Sequence, residues 1–177
     1  ESIEKERELM SDMMEIGNAL DTSDLHPNSM RKWLREMVGS DRTSLTLVFQ
    51  SFAFKYGIPL DADLVFDVRC LPNPHYIPEL KKLTGRDQPV ADYLAEIPSV
   101  NDMVNQISAF LDHWLPHYIQ EHRSYLTVGI GCTGGQHRSV YVVETLAERF
   151  KRSESVLIRH RGIQMREVSP ITATQSP

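Results

Sequence analysis

Between Ser44 and Phe52 the chain reads SLTLVFQSF, a mixture of β-branched and aromatic residues that predicts a strand. FKYGIPLDAD follows, with Gly57 and Pro59 as breakers, and then LVFDVR (64–69), a second strand that reads as apolar enough to be buried on both faces. CLPNPHYIP holds three prolines within seven residues; they remove ladder donors and fix φ, so it reads as a loop at that strand's end. The longest helical pattern covers 99–118. Val100, Met103, Val104, Ile107, Phe110, Leu111, Trp114 and Tyr118 recur at spacings of three and four, Ser99 offers an N-cap, and Pro116 is expected to kink or end the helix near Leu115. YLTVGI (125–130) predicts a third strand. Residues 139–150 predict a helix with Val143, Leu146, Ala147 and Phe150 on one stripe, and SVLIRH (155–160) a fourth strand.

Strands alternating with helices define the α/β class. The expected architecture is a mostly parallel sheet of four to five strands, flanked by helices, with a ligand crevice at the carboxyl ends of the strands. Residues 1–40 differ: ESIEKERELMSDMMEIGNAL is charged and helical in pattern, and a short amphipathic helix closed by Gly39 follows. They read as an appendage or the end of another domain. Residues 41–165 form the α/β unit, and 166–177, without periodicity, read as a flexible tail.

Charge and cysteine content narrow the function. With a net charge of −5 over 177 residues, a surface coated by nucleic acid is excluded and any such contact must be local. Cys70 and Cys132 make no disulfide framework, no apolar run is long enough to span a bilayer, and no signal peptide opens the chain, so a cytoplasmic protein is expected. The chain begins at Glu1 without a methionine, as a fragment would. His113 and His117 are four apart on the long helix, but Pro116 lies between them and no third ligand is suitably spaced; no metal site is expected.

GCTGGQHRS (131–139) sits where the third strand turns into a helix. Gly134 and Gly135 permit positive φ and close backbone approach, Thr133 and Ser139 supply hydroxyls, and Arg138 supplies a planar fork suited to phosphate oxygens. With the helix N-terminus these make an oxyanion pocket, whose lining would also include Cys132, Gln136 and His137. The bland alternative is a strand-to-helix turn. A catalytic alternative is a thiol phosphatase: Cys132 and Arg138 are spaced C-x5-R, with Asp67 as the acid, although Gly131 stands where such enzymes carry histidine. Asp67, Arg69, Asn73 and His75, at the end of the second strand, would share the crevice, with an ion pair to a nearby arginine as the other reading of Asp67. Cys70 reads as a small buried residue. Arg149, Lys151, Arg152, Arg159 and Arg161 form the one basic concentration, a candidate for phosphodiester contact or simply a solvated helix end.

GCTGGQHRSVYVVETLAERF, LVFDVRCLPNPHY and SFAFKYGIP, matching in order, resemble the C-terminal half of the RapZ (RNase adapter), YvcJ-like family of P-loop nucleotide-binding proteins. The resemblance runs from about Leu45 to Arg161, and residues 1–40 are similar to the end of that family's N-terminal kinase-like domain. The G-x-x-x-x-G-K-[ST] loop is absent, so ATP or GTP would belong to a missing N-terminal domain, and no cofactor is expected in this chain. The resemblance implies a regulator that binds glucosamine-6-phosphate and small regulatory RNA, presents the RNA to RNase E and assembles as a homo-oligomer. It implies ligand contacts at Asp67, His75 and the glycine loop, and RNA contacts at Lys55, His75 and the 149–161 basic residues. Enterobacterial members carry Lys where Gln136 stands.

Overall fold

The structure, a computed structural model, describes residues 45–121 and 123–163, together with positions 5, 22, 30, 33 and 34. The expectations for residues 1–40 as a unit and for the 166–177 tail lie outside the described residues. Four strands, β1 (Thr46–Ala53), β2 (Leu64–Asp67), β3 (Tyr125–Cys132) and β4 (Ser155–His160), form one all-parallel sheet in the order β2-β3-β1-β4. The α/β class and the parallel sheet therefore hold, at four strands among the described residues.

The helices are α1 (Gln88–Ala95), α2 (Pro98–Gln120) and α3 (Arg138–Phe150). Their apolar stripes cover one face of the sheet. Val90, Leu94, Val104, Ile107, Leu111, Val143 and Leu146 pack with Leu47 and Phe49 of β1 and Leu126, Val128 and Ile130 of β3 in one core. The Phe49 and Phe150 rings, 5.9 Å apart, lock α3 to the central strand. The other face meets the β1–β2 connection: a methyl group on Gly129 would touch Ala62, and Gln50 Nε2 donates to Asp61 Oδ1 at 3.2 Å.

Three expectations need correction. β2 spans four residues at the sheet edge and alternates half-buried with exposed positions, so it is not buried on both faces. The long helix is capped by Ile97 with Pro98 in its first turn, not by Ser99, and it continues through Pro116 to Gln120. A proline costs a helix its bond to the carbonyl four residues earlier. Here that carbonyl belongs to Asp112, which is exposed together with Pro116, so the missing bond falls on the solvent side while packing of Leu111 and Leu115 carries the helix past it. Finally, α1 was not foreseen; its signals are a proline in the first turn and the buried pair Val90 and Leu94, four apart.

One polar network crosses these layers. Ser51 Oγ on β1 lies 2.8 Å from His160 Nδ1 on β4, and His160 Nε2 lies 3.1 Å from Glu144 Oε1 on α3, which also pairs with Arg86 Nε at 3.1 Å. The hydrogen bond from His160 holds the Glu144 carboxyl below its ordinary 4.5, aided by the charges of His160 and Arg86 and opposed by burial. A carboxylate with a depressed folded-state pKa contributes stability above its unfolded pKa and loses it as pH falls through the folded one. Glu144→Gln is therefore expected to cost roughly 1–2 kcal/mol at neutral pH, with the cost shrinking as the pH falls below the ordinary carboxylate value and through the depressed folded one. Urea unfolding of both proteins across that range checks it; a cost that does not change with pH contradicts the assignment.

Candidate anion site at the strand ends

The β1 chain leaves its strand toward one face of the sheet, through the 54–63 connection, while the β3 chain leaves toward the other, through α3. β1 and β3 are neighbours whose last residues, Ala53 and Cys132, are register partners. Adjacent strands whose connections diverge open a crevice at their carboxyl ends, the place where α/β sheets bind ligands. GCTGGQHRS occupies that crevice.

Close approach fixes the loop's shape. Gly135 has φ 64°, and a Cβ there would sit 2.9 Å from Ala53 N. A Cβ on Gly162 would collide with Gly135 O, and one on Gly85 with His137 O and Tyr141 N. Gly85 N–H also donates to Gln136 O at 2.8 Å. The turn holding Gly85 is itself fixed by Asp87, which accepts from Thr84 N–H and Oγ–H; those bonds hold the Asp87 carboxyl below its ordinary value. The loop is thus clamped from three sides. A Cβ on Gly134, in contrast, would meet nothing within 4 Å, so this segment of the loop faces open space. Gly131 is explained by its neighbours: any side chain there would strike the rings of Phe52 and Phe54.

Arg138 opens α3 and is 5% exposed. One terminal nitrogen donates to Arg69 O at 2.8 Å and Leu71 O at 2.9 Å; the other reaches Thr133 Oγ1 at 3.4 Å. Its buried Nε finds no acceptor in the protein. The helix cap, His137, makes no side-chain bond to the first turn, and the first intrahelical bond comes from Tyr141 N–H. The start of a helix, its positive pole and a buried guanidinium therefore lie beside an open loop, an arrangement that favours an anion.

Cys132 is 3% exposed. Its Sγ lies 3.1 Å from Ser139 Oγ and accepts from Gly135 N–H at 3.2 Å. Ser139 is fully buried, with its hydroxyl beside the thiol. Asp67, register partner of Gly131, is bound bidentately by Arg69 at 2.7–3.0 Å and accepts from Arg69 N–H at 2.9 Å. The ion-pair alternative for Asp67 is what the structure contains. Those hydrogen bonds hold its carboxyl below the ordinary carboxylate value, which is the wrong direction for the proton donor of a phosphatase.

The remaining candidates separate by place. Asn73 Oδ1 accepts from His75 N–H, so Asn73 caps a 3-10 turn over Pro74–Tyr76. The His75 ring, exposed, lies 6.2 Å from that of His137, at the rim of the crevice. Lys55 is exposed just beyond β1, with its ammonium 4.5 Å from the Tyr56 ring centre. Cys70 is exposed, not buried as the sequence suggests, because it sits in the loop after the edge strand. Among the basic residues, Arg149, Lys151 and Arg152 are exposed; Arg149 and Arg152 line a groove of about 760 Å³ with Arg86, Tyr141 and Glu144. Arg159 and Arg161 are 4% and 8% exposed and each lies 3.7 Å from buried Asp61, with Arg159 also stacked on Trp33. The reason is topological: β4 runs alongside β1 and carries Arg159 against the covered face, where the 54–63 connection delivers Asp61. These two arginines lie inside the protein, away from a solvent-facing basic surface. Among the described residues no cluster of His, Cys, Asp or Glu is arranged for a metal, and no helix is long and apolar enough to cross a membrane.

The fold is an α/β domain whose parallel sheet carries a glycine loop, a helix N-terminus and a buried arginine at its switch point. The comparisons then give the family: the chain belongs to the RapZ C-terminal domain family, whose model matches residues 45–164. It is 60% identical over 163 residues to a nucleotide-binding protein of Methylibium petroleiphilum, covering 92% of this chain and 53% of that protein. It is 56% identical to one of Azoarcus sp. (94% and 57%) and 55% identical to one of Bordetella pertussis (91% and 56%). The chain thus spans about half the length of the curated relatives it matches.

Proposed function

We propose that this domain is a non-catalytic sensor and adapter that binds an amino-sugar phosphate, glucosamine-6-phosphate, at the strand-end crevice. The observation that carries the reading is Arg138: a guanidinium only 5% exposed, with a buried, unpartnered Nε, at the start of α3 and beside an open glycine loop. A phosphate in the loop would meet the positive helix start and the charge of the guanidinium together. Membership in the RapZ C-terminal domain family supports the adapter role toward small regulatory RNA and RNase E. The exposed cations fall in two places, Lys55 with His75 beyond the strand carboxyl ends and Arg149, Lys151 and Arg152 at the far end of α3, and each offers RNA a local contact on an acidic chain. Binding of ATP or GTP belongs to the rest of the full-length protein, in keeping with the relatives' description as nucleotide-binding proteins. Homo-oligomerisation and a cytoplasmic location complete the reading by family likeness.

Gly134 provides the test. Its Cβ would enter open space, so Gly134→Val is expected to melt within a few degrees of the parent while placing two methyl groups where the anion sits. Calorimetry with inorganic phosphate and glucosamine-6-phosphate should show at least about tenfold weaker binding of both, equivalent to about 1.4 kcal/mol. Undiminished heats would move the ligand away from this loop.

A further inference from the structure

We infer that Arg69 is a built-in occupant of the pocket's cation subsite and sets its selectivity: its guanidinium holds Asp67 where a positively charged group of an anion-bearing ligand must bind. The inference rests on the anion reading above.

The contacts that make Asp67 a good acceptor are intramolecular. Arg69 Nε donates to both carboxylate oxygens at 3.0 Å, a terminal nitrogen donates to Oδ2 at 2.7 Å, and Arg69 N–H donates to Oδ1 at 2.9 Å. The backbone bond orients the carboxylate independently of the side chain, so the acceptor stays in position if the guanidinium leaves. Arg69 is tied to the anion side through its main chain as well, because its carbonyl accepts from Arg138 at 2.8 Å. The two arginines therefore form one hydrogen-bonded unit, with the Arg138 guanidinium on the anion side and the Arg69 guanidinium on the cation side.

The Arg69 contact is also built to exchange. Arg69 and Asp67 side chains are 50% and 44% exposed, and an ion pair in water contributes little. The guanidinium additionally lies 4.0 Å from the centre of the Phe54 ring, a resting place that does not require the carboxylate. A ligand carrying an anion and an ammonium can take over Asp67 while Arg69 stays on Phe54. A ligand with the anion alone leaves the pair intact and gains nothing from Asp67. Preference for an amino group is thus reduced by the free energy of displacing Arg69.

The test is calorimetry on the 177-residue chain with inorganic phosphate, glucose-6-phosphate and glucosamine-6-phosphate, comparing wild type with Arg69→Met, Arg69→Gln and Asp67→Asn. Arg69 is half exposed, and the methionine variant keeps an apolar stem on Phe54, so both Arg69 variants are expected to fold. In both, the preference for the amino sugar over the plain sugar phosphate should rise about two- to fivefold, while Asp67→Asn should bring it near one. An unchanged preference in the two Arg69 variants, with phosphate still bound, overturns the role of Arg69 and leaves the anion site standing. Failure of all three compounds to bind any of the four proteins overturns both.

Discussion

Replacing Arg138 with alanine is expected to abolish phosphate binding and to loosen the domain at the same time. The side chain gives two hydrogen bonds to the carbonyls of Arg69 and Leu71, which would otherwise be left without them at the end of β2. Hydrogen bonds from a charged donor contribute about 1.5–3 kcal/mol each, so a stability loss of roughly 3 kcal/mol is expected. Binding suffers separately, through loss of the guanidinium charge and of the terminal nitrogen that reaches Thr133 in the loop. Arg138→Lys separates the two effects: an ammonium retains a positive charge and reaches part of the carbonyl pair, but lacks the planar fork. Unfolding and calorimetry on the three proteins should rank stability as wild type, lysine, alanine, with phosphate binding more than about 100-fold weaker in the alanine variant. If the alanine protein binds phosphate as tightly as the parent, Arg138 serves only the fold.

A second large effect is expected at a residue with no chemistry. Gly85→Ala places a methyl group inside the backbone of His137 and Tyr141, where the first intrahelical bond of α3 forms. Backbone cannot swing aside as a side-chain tip does, so the 84–87 turn or the helix start must move, at a cost of about 3 kcal/mol or more. Either movement also breaks the Gly85 N–H bond to Gln136 O and releases one of the loop's three clamps. The expected result is a lower melting temperature together with weaker phosphate binding. An alanine variant that melts with the parent would mean that the turn is not packed as described.

Much of this was legible in the sequence, and the misses share a physical cause. The four strands announce themselves because β-branched and aromatic runs bounded by breakers have few other uses. The glycine loop announces itself because Cys, His and Arg do not gather around a plain turn. Pro116 misled because its local cost is real but falls on the solvent side of the helix. The eight-residue α1 is too short to show periodicity beyond Val90 and Leu94. Arg159 and Arg161 read as surface charges because their partner, Asp61, lies about a hundred positions upstream, and only the β1–β4 pairing brings the two together. Gly85 carried no local mark at all, since its reason is the backbone of α3. The Asp67–Arg69 pair was visible as adjacency, but its bidentate geometry depends on the turn of the chain after β2.

The strand order has a consequence for how the chain must be made. β1, the second strand from one edge, finds its neighbours only at Tyr125–Cys132 and Ser155–His160, so no two strands consecutive in the chain pair directly except β2 with β3. During synthesis TLVFQSFA leaves the ribosome more than seventy residues ahead of any partner, with its whole length destined for burial. Such a segment is the kind that associates with like segments when left uncovered. The nascent chain therefore passes through an interval of vulnerability that ends only when β3 has emerged, and holding chaperones are expected to act in that interval.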